Sequence, residues 1–329
     1  LKKYKEKKLS PVEVLSAVIK RIETVNPKIN AFNYLDFDKS LELAKESEKK
    51  FSNNNDVLPL EGLPLAIKDE VNIKGQPNRN GCLLLKNNIA QKTDIDVETI
   101  VNSGAILHGR TTNPEFSLTS FCHSKLNGVT KNPWNLDMTP GGSSGGSAAA
   151  LASGCAMLTT GSDIGGSIRI PAGACGVVGF KPPHGRNAQS YPFNHDPYCV
   201  TGPLARTVVD TAMMQNIMCG PNQKDITSLR PKSILPVYYD NLQKGRLADS
   251  VCFSHYANSF YKEISELSDS EKEQLSDDTK MFSGVTEMHI DSLKNNKKIY
   301  HEQIGAHLGY GVEESAMVTG KMYEEIGPI

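Results

Sequence analysis

The chain has 329 residues, of which 38% are hydrophobic and 22% charged, enough to bury one large core or two smaller ones. Its 36 basic and 37 acidic residues leave a net charge of −1, so no overall field draws the molecule to nucleic acid or to an anionic membrane surface. The longest apolar stretches, residues 148–152 and 175–180, fall far short of the ~18 residues a membrane-spanning helix needs.

The first eight residues are basic and lead into an amphipathic pattern rather than an apolar signal core, so export is not expected. Ser10-Pro11-Val12-Glu13 combines an N-cap, a proline at the first helical position and a capping-box glutamate. Val14, Leu15, Val18, Ile19, Ile22 and Val25 follow at helical spacing, which predicts an amphipathic helix. A second helix is predicted over residues 40–51, ending in a polar loop. Leu63-Pro-Leu-Ala-Ile67 then reads as a buried strand that delivers Lys68, Asp69 and Glu70 at its end. Residues 96–103 read as helix and 104–109 as the next strand, with His108 a packed strand residue. This alternation argues an α/β fold with helices over a central sheet. Met213, Met214 and Met218 lie at helical spacing, as core packing would require. Beyond residue 230 the chain is charged, with helical patterns at 248–267, 271–279 and 313–325.

The seven cysteines are an odd number with no C-x-x-C pair, and read as reduced, buried thiols of a cytoplasmic protein. The eight histidines show neither H-x-H nor H-x-x-x-H spacing, so no metal and no cofactor is expected.

Two glycine- and serine-rich loops dominate the middle of the chain: Pro140-Gly-Gly-Ser-Ser-Gly-Gly-Ser147 and Gly161-Ser-Asp-Ile-Gly-Gly-Ser-Ile-Arg-Ile-Pro171. A phosphate-binding P-loop requires a lysine after its glycines, and none is present. Gly142-Ser143-Ser144-Gly145-Gly146 matches the G-x-S-x-G nucleophile elbow, with His184 or His195 as a base. An elbow follows an apolar strand, however, and residues 134–140 are polar and contain proline.

Taken with the 63–68 segment, these loops resemble the amidase signature family. The resemblance covers about residues 10–230 and rests also on Thr112-Asn-Pro-Glu-Phe116, Asn132-Pro-Trp134, Cys175-Gly-Val-Val-Gly-Phe-Lys-Pro182 and Gly202-Pro-Leu-Ala-Arg-Thr207. It implies a central mixed β-sheet covered by helices on both faces. It also implies a Ser-Ser-Lys triad that maps to Ser167 as nucleophile, Ser143 as bridging serine and Lys68 as base, with a cis peptide at Gly142–Ser143. Lys68 can accept a proton only when neutral, a state that desolvation favours. Ser143 would relay the proton from Ser167 and return it to the leaving amine. By the same resemblance the backbone amides of Ile164, Gly165, Gly166 and Ser167 form an oxyanion hole, each donor being worth about 2.7–4 kcal/mol in the transition state.

Ser117 and Ser144 are candidate substrate contacts, although Ser144 and Ser147 also read as caps of the alanine-rich helix that follows. Asp163 and Arg169 are expected to pair and hold the nucleophile loop.

The sequence departs from the family in two places. Full members continue beyond a segment like residues 320–328, and a strand-helix unit that many members carry reads as shortened between 230 and 248. The expectation is therefore one domain over 1–329, truncated at its C-terminus, with a catalytic core at 62–210 and a helical covering region at 248–329. Glu70 follows Asp69 where many members have Asn, and an acid close to Lys68 would favour its charged form. The expected activity is hydrolysis of a small carboxylic amide to acid and ammonia or amine, with a small-molecule partner, no nucleic acid and no membrane, and a homodimer left open. Two alternatives remain: the catalytic A-subunit of a tRNA-dependent glutamine amidotransferase, and an inactive, truncated amidase-like protein.

Overall fold

The computed structural model describes residues 1–53, 57–228 and 267–275. The chain divides into two compact units, Leu1–Gly245 and Arg246–Ile329. In the second, the described residues hold one helix, Asp269–Gln274, whose Glu271 carboxylate accepts from the Ser268 amide at 2.9 Å. The expected helices at 248–267 and 313–325, the shortened 230–248 segment and the C-terminal truncation lie outside the described residues.

The first unit is built on a six-stranded mixed sheet. In chain order its strands are β1 (Phe32–Leu35), β2 (Pro64–Lys68), β3 (Ile106–Thr111), β6 (Leu158–Asp163), β7 (Val178–Gly179) and β8 (Val200–Ala205). A separate hairpin pairs β4 (His123–Ser124) with β5 (Gly128–Val129). The sheet order is β1-β3-β2-β6-β8-β7, with β3, β2 and β6 mutually parallel in the centre and the outer pairings antiparallel.

Helices cover both faces, as period-2 alternation along the strands requires. On β2, Ala66 joins one apolar cluster while Leu65 and Ile67 join another; on β8, Leu204 and Ala205 divide in the same way. The first cluster receives Val18, Ile22 and Ile29 of α2 (Pro11–Ile29) and Ala148 to Leu151 of α5 (Gly145–Ala152). The second receives Tyr4 of the short α1 (Lys2–Lys5), Val97 and Ile100 of α4 (Ile95–Val101), and Met214 and Met218 of α7 (Val208–Met218). Burying a side chain such as Ile22 contributes about 1.5–3 kcal/mol.

The α2 capping box forms as expected: Ser10 Oγ accepts from the Glu13 amide at 3.1 Å and Glu13 accepts from the Ser10 amide at 2.8 Å. The second helix, α3 (Phe37–Ser52), begins three residues before its predicted start, because Asp36 caps it by accepting from the Lys39 amide. β3 sits two residues later than predicted: Gly104 has φ +90 and belongs to the turn before the strand, and the ladder runs on to Arg110 and Thr111 opposite Ile67 and Lys68. Met214 and Met218 are buried in the core and the partly buried Met213 packs against it, and His108 is buried with its Nε2 3.1 Å from the Cys155 carbonyl. The six described cysteines are free and buried.

Candidate active site

Lys68 ends β2, a strand buried along its whole length, and its side chain is 1% exposed. Parallel pairing with β6 brings it beside Thr160 and Ser162. Its Nζ lies 2.7 Å from Ser143 Oγ, 2.8 Å from Ser162 Oγ and 3.0 Å from Glu70 Oε2. Ser143 follows a cis peptide bond at Gly142–Ser143. Residues 134–140 form turns rather than a strand, so the elbow reading lacks its strand, and the described partner of Ser143 Oγ is a lysine.

The second loop leaves β6 at Asp163 and enters α6 (Arg169–Cys175). Asp163, fully buried, accepts from the amides of Gly166 (2.8 Å), Ile168 (3.1 Å) and Arg169 (3.3 Å). Its carboxylate also meets Arg169 Nε at 3.0 Å and Lys181 Nζ at 3.2 Å, and Lys181 donates to the Ile164 carbonyl at 2.8 Å. Burial pushes the Asp163 carboxyl up, but the hydrogen bond from Arg169 and the charges of Lys181 and Arg169 outweigh it and hold the group below its ordinary 3.8. The expected Asp163–Arg169 pair is therefore present, with Lys181 as a further cation.

Ser167 is half-buried, and among the described residues its hydroxyl makes no hydrogen bond. Its carbonyl accepts from the Ser144 amide at 3.1 Å, which ties the two loops together. Of the four expected oxyanion donors, the Gly166 N–H is already engaged by Asp163, whereas the Gly165 and Ser167 amides meet no acceptor among the described residues. Ile164 contributes its carbonyl to Lys181.

The remaining serines are placed by the packing of α5. Gly146 lies against Thr112, its amide donating to the Thr112 carbonyl at 3.2 Å, and a Cβ there would sit 2.5 Å from the Thr112 backbone nitrogen and oxygen. This close approach drives the loop into the sheet and buries Ser144 and Ser147 completely. Neither acts as the expected cap. Ser144 makes no side-chain cap bond and points to the Ser162 carbonyl at 3.4 Å, while Ser147 donates to the Thr160 carbonyl at 2.8 Å and lies 2.7 Å from Thr111 Oγ1. Ser117, with φ +61, donates to Glu70 Oε2 at 2.6 Å and accepts from Asn113 Nδ2 at 3.0 Å.

Beneath the end of β2, the fully buried Arg110 donates to the carbonyls of Lys68 (3.3 Å), Val71 and Pro77 (3.4 Å), with Asp69 3.7 Å away. Burial pushes the Asp69 carboxyl up to about 6, against the charge of Arg110 and a 2.5 Å hydrogen bond from Asn33. Sequence reasoning missed Ser162, Lys181 and Arg110. Ser162 and Lys181 were within reach, since both stand inside the motifs at 161–171 and 175–182; Arg110 is more than thirty residues from its partners in sequence and carried no local signal.

Among the described residues no group of three or more His, Cys, Asp or Glu side chains could hold a metal ion, and no helix is long and apolar enough to cross a membrane.

The Amidase family model matches residues 13–307. The A-subunit of a glutamyl-tRNA(Gln) amidotransferase from Methylacidiphilum infernorum is 39% identical over 250 residues, which cover 75% of this chain and 48% of the relative. The chain thus spans about half the length of the curated relatives it matches. The crystal structure of a bacterial aryl acylamidase of the amidase signature family superimposes with a TM-score of 0.67 at 34% identity, covering 70% of this chain and 48% of that one. A structure from a vestigial protein complex, related to the origins of an s-triazine catabolic enzyme, has a TM-score of 0.70 over 98% of this chain and 76% of its own, but at 22% identity that likeness concerns the fold alone. With a family model covering most of its length and a mixed sheet that superimposes on solved members, the chain belongs to the amidase signature family.

Proposed function

We propose that the chain is a serine amidase that hydrolyses a carboxylic amide through an acyl-enzyme on Ser167. The observation that carries this reading is the buried 2.7 Å contact between Lys68 Nζ and Ser143 Oγ, in a loop that the Ser144 amide ties to the carbonyl of Ser167. Neutral Lys68 accepts the Ser143 proton as Ser143 accepts that of Ser167, and Ser167 Oγ attacks the amide carbon. The Gly165 and Ser167 amides supply hydrogen bonds to the developing oxyanion. As the C–N bond breaks, the proton returns through Ser143 to the leaving nitrogen, and water then cleaves the acyl-enzyme by the same relay. No cofactor takes part in this scheme.

The test is labelling by a fluorophosphonate probe, read by intact mass, with Ser167→Ala and Lys68→Ala as controls. Stoichiometric labelling that is lost in Ser167→Ala and falls by about 10²–10⁴ in rate in Lys68→Ala is expected. A folded wild-type chain that never labels would overturn the reading and favour the inactive alternative.

A second reading follows from the relatives, several of which carry the name of the glutamyl-tRNA(Gln) amidotransferase A-subunit, with 37–40% identity to this chain. In that case the substrate is glutamine, and tRNA and other subunits are partners, contrary to the expectation of no nucleic acid. Glutaminase activity stimulated by charged tRNA and partner subunits, with no hydrolysis of simple amides, would decide for it.

A further inference from the structure

Glu70 has no part in the relay, yet among the described residues it is one of three groups touching Lys68 Nζ. Both side chains are almost wholly enclosed, Lys68 at 1% and Glu70 at 2% exposure, so solvent screens their 3.0 Å contact little. Ser117 donates to the same carboxylate oxygen at 2.6 Å and is held in turn by Asn113. The other oxygen, Oε1, is buried and has no hydrogen-bond partner among the described residues. A buried carboxylate is retained when cations and donors surround it, and here the cation is Lys68 and the donor is Ser117.

We propose that Glu70, anchored by Ser117, is a positioning residue that sets the protonation state of Lys68 and thereby the pH range over which the relay runs. The proposal rests on the reading of Lys68 as the base. A carboxylate against the amine stabilises the ammonium, which cannot accept a proton from Ser143, so the working form is reached only as pH rises. Among the described residues the other charged or titratable groups around Lys68 are Asp69, Arg110, Cys122 and Cys199. Arg110 is engaged with Asp69 and with backbone carbonyls, and burial pushes both thiols up. Glu70 is thus the carboxylate in direct contact with the amine.

Two measurements test this on the full chain, with Glu70→Gln, which removes the charge, and Glu70→Asp, which keeps it. The first follows the Lys68 Nζ resonance of ¹⁵N-lysine-labelled protein against pH, assigned by its loss in Lys68→Met. In Glu70→Gln the ammonium is expected to deprotonate at a pH at least one unit lower than in wild type, a tenfold change in proton affinity, while Glu70→Asp stays close to wild type. The second is the rate of fluorophosphonate labelling against pH, whose acid limb is expected to move down by the same interval in Glu70→Gln.

A resonance titrating at the same pH in wild type and Glu70→Gln would overturn the proposal. So would a labelling rate lowered uniformly across pH in both variants, which is the mark of a merely structural role. The resonance needs no turnover. If it shifts as expected while wild type fails to label at any pH, the amidase reading fails and the role in the relay with it, and only the control of Lys68 protonation by Glu70 stands.

Discussion

The two halves of the candidate site are built on opposite plans. On the Lys68 side, side chains are spent on one another: Lys68 Nζ meets Ser143, Ser162 and Glu70, all buried, and Ser117 closes the set on Glu70. On the Ser167 side the backbone is what is held. Asp163 gathers three amides and two cations around the loop, and the Ser144 amide grips the Ser167 carbonyl, while the Ser167 hydroxyl is left without a hydrogen bond among the described residues. The difference fits the chemistry. A base must be desolvated and oriented, which a closed polar network does, whereas backbone anchoring fixes a serine loop while leaving its hydroxyl free to take up the hydrogen bond to Ser143 that the proposed relay requires.

The sharpest way to break the comparison is Asp163→Asn. It removes the charge that balances Arg169 and Lys181 and so perturbs the Ser167 side without touching the Lys68 side. A loss of about 3 kcal/mol is expected in urea unfolding, together with loss of fluorophosphonate labelling. Because the Asp163 carboxyl is held below 3.8, its contribution is present above that value and lost as pH falls through the folded-state value, so the gap between wild type and variant should close in strong acid. Wild-type stability and labelling in the variant would show that the loop does not depend on this carboxylate.

A second test concerns β3, the strand paired with the one that carries Lys68. Burial depresses the His108 imidazole from 6.5 to about 4, so the folded state keeps it neutral. Its contribution is full above 6.5 and lost as pH falls toward 4, about 3 kcal/mol over that window. Asp69 works in the opposite sense: with its carboxyl raised to about 6, its contribution is full below 3.8 and lost as pH rises through 6. The comparison must therefore be differential. Thermal unfolding of His108→Gln at pH 7, 5 and 4 is expected to show a shallower acid loss than wild type, and identical slopes would remove His108 from the account.

The smallest expected effect comes from Gly146→Ala, where the added methyl meets the Thr112 backbone at 2.5 Å. The cost should be about 1–3 kcal/mol in unfolding. Since α5 carries Ser147 against Thr160, the loop holding Ser143 should lose its register as well, visible as slower labelling at a temperature where the variant is still folded. A variant with unchanged labelling would mean that Ser143 is placed by its own loop rather than by the seating of α5.

Much of this molecule was legible in advance because its signals are local. Ser10, Pro11 and Glu13 lie within one helical turn, so the capping box could be read directly, and the alternation of Leu65, Ala66 and Ile67 follows from strand geometry alone. The two glycine- and serine-rich loops stood out by composition, and their order along the chain carried the family resemblance. The boundaries that failed did so for a tertiary or a capping reason. Asp36 starts α3 earlier than its apolar periodicity suggested, and β3 is displaced by the turn at Gly104 and by pairing with β2. Ser144 and Ser147 looked like caps because serine before an alanine run usually is one, yet the approach of Gly146 to Thr112 turned both hydroxyls into the sheet.

The sequence by itself therefore determined which residue types were available to the site and which elements would carry them: a lysine at the end of a buried strand, two serine loops, an aspartate before the second loop. It determined these because capping, periodicity and glycine content act over a few residues. Only the tertiary structure decided the distances between groups 75 to 100 residues apart, because the parallel pairing of β2 with β6 puts Lys68 beside Ser162 and the seating of α5 delivers Ser143. The same pairing decided that Glu70, one acidic residue among 37 in the sequence, would be shut in with the lysine it follows by two positions.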